Sequence, residues 1–276
     1  MSQPIIQAIL APNPSIMTGA GTNTYIIAQS GATAGCFVVD TGCDSADHLQ
    51  KLRQIAAAFG GVSAIIVTHA HPDHIGGAKE FSQLTGAPVW ALDNSASGTP
   101  FAARVVRHKE QISVGSVSIT IVAIPGHRFD HLGLWLPDSG DLLVGDVMSG
   151  SGSVIIIPPE GDMAKYLQTL RKLAALPIQR IFPGHGPVIE DPQARIAWYI
   201  EHRMQRENMI ISALRSHGPS SAADLLPLVY NDTPKELWPA AELSLMAHLL
   251  KLKKEQRAHI VAELSGAVEY WALIHR

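Results

Sequence analysis

The first 190 residues alternate short apolar runs with turn residues. Val- and Ile-rich runs of this length, bounded by Gly, Pro, Asn and Asp, are typical of β-strands. They predict strands at 24–28, 36–40, 64–68, 88–92, 117–124, 132–136, 142–146 and 180–183. Apolar residues at helical spacing predict helices at 46–59, 76–84 and 163–175, the last capped by Asp162. This region is therefore predicted to be a layered α/β domain.

The pattern becomes helical after residue 190. Apolar periodicity and N-terminal signals predict helices at 192–216, at 221–229 and from Pro234 onward. Two strand-like runs then flank Ser265 and Gly266, a spacing that favours a two-residue hairpin turn. Three helices followed by a hairpin describe a winged helix. The sequence therefore predicts a domain of residues 1–190 and a winged-helix-like domain of residues 191–276.

Composition narrows the class of protein. Hydrophobic residues make up 46% of the 276 residues and charged residues 16%, which excludes a disordered chain. The net charge of -3 lacks the basic excess of many nucleic-acid-binding domains. Cys36 and Cys43 do not form a disulfide scaffold, and neither a signal peptide nor a long apolar run is visible. We expect a cytoplasmic protein that does not span a membrane.

The densest chemical signal follows the predicted strand at 64–68. Four potential metal ligands, His69, His71, Asp73 and His74, lie within six residues. With His at 13 of 276 residues, a chance H-x-H-x-D-H pattern is expected on the order of 10⁻³ times in such a chain. Burying four such groups without a metal would leave many polar atoms without hydrogen-bond partners. The motif therefore predicts a metal site.

Three further predicted strands lead, beside a glycine, to a residue of the same kind. These residues are His127, Asp146 and His185. In layered α/β folds the functional groups gather at the carboxyl ends of strands, so we expect these segments to converge with the histidine motif on one rim. The sequence thus offers seven candidate ligands.

Seven ligands suit two metal ions, because a zinc ion takes about four ligands and keeps one position open for water when it is catalytic. Imidazole and carboxylate donors favour zinc, with iron or manganese as alternatives. A hydroxide bridging two such ions is a nucleophile at neutral pH, since the metal lowers the pKa of its water from 15.7 to roughly 7. Hydrolysis is the predicted chemistry, with Asp73 expected to orient the hydroxide.

These residues resemble those of the metallo-beta-lactamase-fold hydrolases, through THAHPDH, the three later ligands and Asp40 in VVDTG. The resemblance spans the first 190 residues and implies an αββα sandwich with a dinuclear site. The implied ligands are His69, His71 and His127 for one ion, Asp73, His74 and His185 for the other, and Asp146 as a bridge. The resemblance also implies that Asp40 orients the ligand loops.

Within that superfamily the chain resembles the beta-lactamase-like protein 2 branch over nearly its whole length. The matching segments are GTNTY at 21–25, PGHGPVI at 183–189, and parts of 199–207 and 247–252. Members of the branch carry a winged-helix-like domain after the hydrolase domain, and an animal relative is a single-stranded RNA endonuclease. One departure is GHRFDH at 126–131, where many relatives have Thr-Pro after the ligand histidine.

Three residues are weaker site candidates. We expect Asn23 at the mouth of the pocket, although Gly-Thr-Asn is equally a turn signal. His131 is expected to support the ligands or transfer a proton, with simple packing as the alternative. His202 lies on the long predicted helix and is expected to cap the cleft, with a surface role as the alternative.

The substrate is left open by the sequence. A dinuclear hydroxide suits a small-molecule ester, thioester or lactone as well as a phosphodiester, including single-stranded RNA. Four basic residues close together favour RNA: Lys251, Lys253, Lys254 and Arg257. However, residues 191–276 carry 10 basic and 10 acidic side chains, so this segment is neutral. A metal-containing binding protein is the non-enzymatic alternative, and a homodimer is a further expectation.

Overall fold

The computed structural model describes residues 4–93, 98–264 and 268–274. The chain forms two compact units, each made of more than one segment. The first comprises Met1–Pro125, Asp130–Val154 and Leu176–Pro192, and the second comprises Gly126–Phe129, Ile155–Ala175 and Gln193–Arg276. The division into independent domains at residue 190 stays a prediction.

Two mixed β-sheets form the first unit. The six-stranded sheet has the order β1 to β6, with strands Pro4–Leu10, Asn23–Gln29, Cys36–Val39, Val62–Ile66, Val89–Ala91 and Arg104–Val105. The five-stranded sheet has the order β11-β10-β9-β8-β7, with β7 to β11 at Gln111–Val114, Val117–Ala123, Leu132–Leu136, Asp141–Gly145 and Arg180–Pro183.

The two sheets pack face to face through one apolar core. Phe37 and Ile66 of the six-stranded sheet belong to the same buried cluster as Ile119 and Leu134 of the five-stranded sheet. All four side chains are almost inaccessible to solvent. Burial of apolar surface stabilises the fold by about 25 cal/mol per Å², so this core holds the two sheets together.

Helices cover the other face of the six-stranded sheet. Helix α1 is Ala46–Ala57, α2 is Pro72–Ile75 and α3 is Ala78–Thr85. Leu52 of α1 and Phe81 of α3 are fully buried in a second apolar cluster with Ile26, Val38 and Ile65 of β2, β3 and β4. Successive residues of a strand point to opposite faces, which is why Ile65 meets the helices while Ile66 meets the other sheet.

Strand register brings distant parts of the chain to common ends. Strands β3 and β4 are parallel, with Val39 opposite Ile66, so the residues after both strands lie side by side. Strands β10 and β11 are also parallel, with Gly145 opposite Pro183. The segments after these four strands carry Asp40, the histidine motif, Asp146 and His185.

The second unit contains four helices and a two-stranded sheet. The helices α4 to α7 are Met163–Ala174, Pro192–His217, Ala222–Val229 and Trp238–Lys254, with a 3-10 turn at Lys235–Leu237, and the strands β12 and β13 are Ala258–Leu264 and Val268–Leu273. Leu225, Leu249 and Trp271 form its core with their neighbours. The predicted turn at Ser265 and Gly266 lies outside the described residues. Among the helices that the structure describes, none is long and apolar enough to cross a membrane.

All eight strands predicted in the first 190 residues, the two strand-like runs after α7 and all six predicted helices are present, with small shifts at their ends. Asp162 caps α4, because its Oδ1 accepts the backbone N–H of Lys165 at 2.9 Å. Strands β1, β6 and β7 were not predicted. Strand β1 has mostly exposed and half-buried positions, and β6 has only two residues, both exposed. Strands at or near a sheet edge carry a weak apolar pattern of this kind.

Three of the four basic residues at and after the end of α7 are held in ion pairs within the second unit. Lys251 Nζ donates to the fully buried Glu207 Oε2 at 2.7 Å, and Arg257 donates to Glu207 Oε1 at 2.8 Å. Lys254 pairs with Asp162. Burial alone would raise the pKa of Glu207, but its hydrogen bonds with His248 and Lys251 lower the pKa to about 2.

Replacing Glu207 by Gln is expected to destabilise the protein by about 3 kcal/mol at pH 7, because it removes the buried carboxylate shared by Lys251 and Arg257 and leaves Lys251 only its more exposed partner Glu255. The folded-state pKa of Glu207 is depressed from 4.5 to about 2. Its contribution is therefore fully present above the unfolded-state pKa and is lost as the pH falls through this window. Urea unfolding between pH 2 and 7 measures the difference between the two proteins. An equal acid sensitivity of wild type and E207Q would contradict this assignment.

Candidate metal centre

The histidine motif lies just beyond the carboxyl end of β4. The chain leaves the strand after Ile66, and Pro72 begins α2, so that Asp73 and His74 lie in its first turn. Proline suits this position because its fixed φ is already helical and its missing N–H would have no partner there. His74 is fully buried and Asp73 is partly exposed.

One set of potential ligands consists of Asp73, His74, Asp146 and His185, whose ligand atoms all lie within 4.8 Å of one another. His74 Nε2 is 3.2 Å from Asp146 Oδ1. His185 Nε2 is 3.2 Å from Asp73 Oδ2 and 3.4 Å from Asp146 Oδ2. The parallel pairing of β10 and β11 explains why Asp146 and His185 meet.

A second set includes His69, His71 and Asp146, whose ligand atoms also lie within 4.8 Å of one another. His69 Nε2 and His71 Nδ1 are 3.0 Å apart. Asp146 therefore belongs to both sets. This arrangement is the one expected of a bridging carboxylate.

His127 belongs to the second unit. Its Nδ1–H donates to the carbonyl of Ile155 at 2.8 Å within that unit. This hydrogen bond fixes the tautomer in which Nε2 carries the lone pair, as in histidines that bind metals. The side chain is thus prepared to serve as a ligand through Nε2.

Asp40 organises the histidine motif from behind. Its Oδ2 accepts His74 Nδ1–H at 2.7 Å and the Thr68 hydroxyl at 2.7 Å, while its Oδ1 accepts the backbone N–H of Thr68 at 2.8 Å. The Thr68 oxygen in turn accepts His69 Nδ1–H at 3.0 Å. One buried carboxylate therefore turns the Nε2 atoms of both His74 and His69 toward the centre. Asp40 itself has a left-handed φ of 51°, a strained conformation for a non-glycine residue.

The loop after β11 holds His185 in the same manner. His185 Nδ1–H donates to the carbonyl of Gly21 at 3.2 Å. The Asn23 side chain donates to the carbonyls of Pro183 and Gly186, at 3.0 and 2.8 Å, so it ties down both sides of this ligand. A Cβ atom at Gly184 would lie only 2.5 Å from Asp146 Oδ1, which explains the glycine next to His185.

The donor set and its orientation fit divalent metal ions. His74, His127 and His185 each donate through Nδ1 to a protein oxygen, and His69 does so to Thr68, which leaves the Nε2 atoms as ligands. Nitrogen and carboxylate oxygen donors of this kind suit zinc, iron or manganese. The nitrogen and oxygen lone pairs of these side chains lie close to one another, so the cluster needs protons or cations between its members.

Comparison with known proteins decides the family. Residues 17–185 match the metallo-beta-lactamase superfamily, and residues 221–264 match the beta-lactamase associated winged helix domain. The chain belongs to the metallo-beta-lactamase superfamily. The predicted fold class, a metallo-beta-lactamase sandwich with a winged-helix-like domain, is thereby confirmed.

Similar proteins cover nearly the whole chain. A beta-lactamase-like protein 2 homolog of Drosophila melanogaster is 33% identical over 269 residues, which are 91% of this chain and 89% of that protein. An atrochrysone carboxyl ACP thioesterase of Aspergillus fumigatus is 26% identical over 285 residues, 97% of this chain and 86% of that protein. The crystal structure of a beta-lactamase domain protein from Burkholderia ambifaria has a TM-score of 0.82 at 21% identity and covers 98% of this chain and 92% of its own.

Membership of the superfamily makes the chain a metal-dependent hydrolase, with a His/Asp cluster able to bind metal.

The electrostatics of this cluster favour bound positive charge. Burial alone would lower the pKa of His74, but Asp146 and Asp40 raise it well above its usual value. Asp146 and Asp73 raise the pKa of His185 to about 9 against the same effect of burial. In the superfamily site, metal ions take the place of such protons.

Two of the weaker candidates have different surroundings. His131 is fully buried, and its ring stacks on that of His69 at 4.5 Å. His202 belongs to the second unit, where its ring stacks on Trp198 at 5.1 Å. Burial and the nearby Arg203 lower the pKa of His202 to about 4. Its expected position over the cleft stays a prediction.

Sequence analysis missed two residues that contact the ligand segments, Thr68 and Asp130. Thr68 joins His69 to Asp40 through its hydroxyl group. Asp130 Oδ2 accepts the backbone N–H of Ala70, between the first two histidines of the motif, at 3.1 Å. Thr68 is the first residue of THAHPDH and Asp130 lies in the departure at 126–131, but the sequence does not show which hydrogen bonds these residues make.

Replacing Thr68 by Val is expected to weaken metal binding about tenfold, because it removes the hydroxyl that orients His69 while keeping the shape of the side chain. T68S is the matched control, since serine keeps the hydroxyl. Competition with a chelator of known zinc affinity measures the loss. Equal affinities for T68V and T68S would show that the hydrogen bond does not orient the ligand.

Proposed function

We propose that the chain is a dinuclear zinc hydrolase that cleaves thioesters or esters. His69, His71 and His127 would hold one ion and Asp73, His74 and His185 the other, with Asp146 available as a ligand to both. The observation that carries this proposal is the position of Asp146, whose ligand oxygens lie within 4.8 Å of the donor atoms in both sets. His127 would be the third histidine of the set that contains His69 and His71, through its Nε2.

Two bound zinc ions supply Lewis acidity and lower the pKa of water to near neutrality, which provides both a nucleophile and a polarised carbonyl. The protein holds the donors that fix the geometry. Asp40 keeps His74 directly, and His69 through Thr68, in the tautomer that binds metal. The Gly21 carbonyl does the same for His185, and Asn23 holds the loop that carries His185.

Asp73 has the best position to orient the nucleophile. Its side chain is partly exposed, whereas His74 is fully buried. Burial alone would raise the pKa of Asp73, but its hydrogen bond with His185 and the charge of His74 lower it below its usual value. The carboxylate is therefore ionised at neutral pH and accepts a hydrogen bond from water or substrate.

A carbonyl substrate is favoured over a nucleic acid. One relative that covers nearly the whole chain is named a thioesterase, and the same chemistry is proposed for this chain. Three of the four basic side chains that favoured RNA are held in ion pairs: Lys251 and Arg257 pair with Glu207, and Lys254 pairs with Asp162. A protein binds a nucleic acid largely through Lys and Arg side chains that neutralise its phosphates and release its counterions. Side chains already paired with carboxylates are less available for this, so these ion pairs weaken the case for RNA. Zinc, the cytoplasmic location and the homodimer remain predictions from the sequence.

His71→Ala and Asp146→Ala are expected to lower the hydrolysis of a short-chain acyl N-acetylcysteamine thioester at least about 100-fold. Each removes a ligand and with it several kcal/mol of transition-state stabilisation. The assay compares zinc-loaded wild type, both variants and chelator-treated protein. His217→Ala is the control, because His217 belongs to none of the ligand sets.

Bis-(p-nitrophenyl) phosphate and a fluorescent single-stranded RNA are tested in parallel. Turnover of the thioester alone supports the proposed substrate class, and preferential cleavage of RNA would overturn it. Full activity of D146A would overturn the dinuclear mechanism.

A further inference from the structure

We propose that Asp130 and His131 position the metal ligands: Asp130 fixes the loop between His69 and His71, and His131 fixes Asp146. The inference rests on the proposed dinuclear function, and it assigns a role to a dipeptide outside the ligand set. It follows from hydrogen bonds and from one ring stack, all within the first unit.

The surroundings of His131 determine its protonation. Its Nδ1 lies 3.0 Å from the carbonyl oxygen of Leu132, which can only accept a hydrogen bond, so Nδ1 carries the proton. Its Nε2 lies 3.1 Å from the backbone nitrogen of Asp146, which can only donate, so Nε2 carries a lone pair. His131 is therefore a neutral imidazole that accepts the N–H of Asp146. Its hydrogen bonds oppose the proton-transfer role considered from the sequence, since a second proton would break the bond to Asp146.

The same ring also limits the movement of His69. The two imidazoles are nearly parallel, at 16°, with ring centres 4.5 Å apart. The His131 ring also packs closely against the backbone at Gly145, where an added Cβ atom would lie only 2.8 Å from Cε1 of the ring. Gly145 also has a positive φ of 46°, which favours glycine. The fully buried ring thus lies between one ligand, His69, and the backbone of another, Asp146.

Asp130 contacts the residue that follows His69 in the chain. Its Oδ2 accepts the N–H of Ala70 at 3.1 Å. Ala70 separates His69 from His71, whose ring nitrogens Nε2 and Nδ1 are 3.0 Å apart. Fixing this peptide fixes the relative positions of the two histidines. The adjacent Leu132 N–H donates to the Thr68 carbonyl at 2.8 Å, so residues 130–132 hold residues 68–70 at two points.

These contacts give the departure at 126–131 a physical meaning. Arg128 and Phe129 replace the Thr-Pro of many relatives, yet the next two residues carry the contacts to the ligand segments. Partners of this kind that orient ligands typically change metal affinity by about 10- to 100-fold when they are removed. We therefore expect residues 130 and 131 to control metal retention more strongly than residues 128 and 129.

The test compares variants that separate the hydrogen bond from the ring. His131→Phe keeps an aromatic ring and removes the acceptor, whereas His131→Gln keeps an acceptor and removes the ring. H131F is expected to lose about 10- to 100-fold in affinity for the more weakly held ion. H131Q is expected to stay within about threefold of wild type. Asp130→Ala is expected to lose affinity, and Asp130→Asn to retain it, because asparagine can still accept the N–H of Ala70.

Zinc affinity is measured by chelator competition, and the visible spectrum of the cobalt-substituted protein reports the ligand geometry. His108→Phe is the matched control, because exposed His108 also accepts a backbone N–H, that of Ala123 at 3.1 Å, and is not a ligand. The expected result is a changed cobalt spectrum for H131F and D130A, with wild-type spectra for H131Q, D130N and H108F. Thermal unfolding confirms that each variant is folded.

Wild-type affinity and spectrum in H131F and D130A would overturn the inference. A loss in H131Q that equals or exceeds the loss in H131F would also overturn it, since the hydrogen-bond acceptor would then not be the group that decides metal affinity. H131Q decides the role of the hydrogen bond even if H131F does not fold. A wild-type protein that binds no metal would instead refute the proposed function, so the two failures are distinguishable.

Discussion

The structure of the site depends on one buried carboxylate. Asp40 accepts the hydrogen of His74 Nδ1 directly and controls His69 through the Thr68 hydroxyl. A buried charge is costly unless each of its lone pairs has a partner. Here the partners are His74 and the hydroxyl and backbone N–H of Thr68, so the stability of the buried charge and the orientation of the ligands have the same origin. The left-handed backbone at Asp40 is part of this arrangement.

Sheet architecture explains how residues more than a hundred positions apart meet. The parallel pairs β3–β4 and β10–β11 place Asp40 beside Thr68 and Asp146 beside the His185 loop. The apolar core between the sheets holds the two pairs of strands together. Apolar packing therefore brings the ligand-bearing loops together, and hydrogen bonds with Asp40, His131 and Asn23 set the final orientation of the ligand side chains.

Much of this architecture was predictable from the sequence, for physical reasons. Buried strands have continuous Val and Ile runs, and metal ligands of one loop have fixed spacing, as in THAHPDH. Strands β1, β6 and β7 were missed, because their positions are largely exposed or their length is short. Thr68 and Asp130 were missed, because they act through hydrogen bonds between separate segments, which no spacing rule predicts. His131 was a candidate from the sequence, but its hydrogen bond with Asp146 and its stacking on His69 were not predictable. The grouping of residues 126–129 with the C-terminal helices also depends on tertiary packing.

The central claim is that one carboxylate, Asp146, joins two metal ions held by loops from different strands. Anomalous diffraction at the zinc edge from zinc-loaded crystals tests it most directly. The account predicts two peaks about 3.5–4 Å apart, with Asp146 between them and His127 bound to one. A single peak, or two peaks that do not share Asp146, would contradict it.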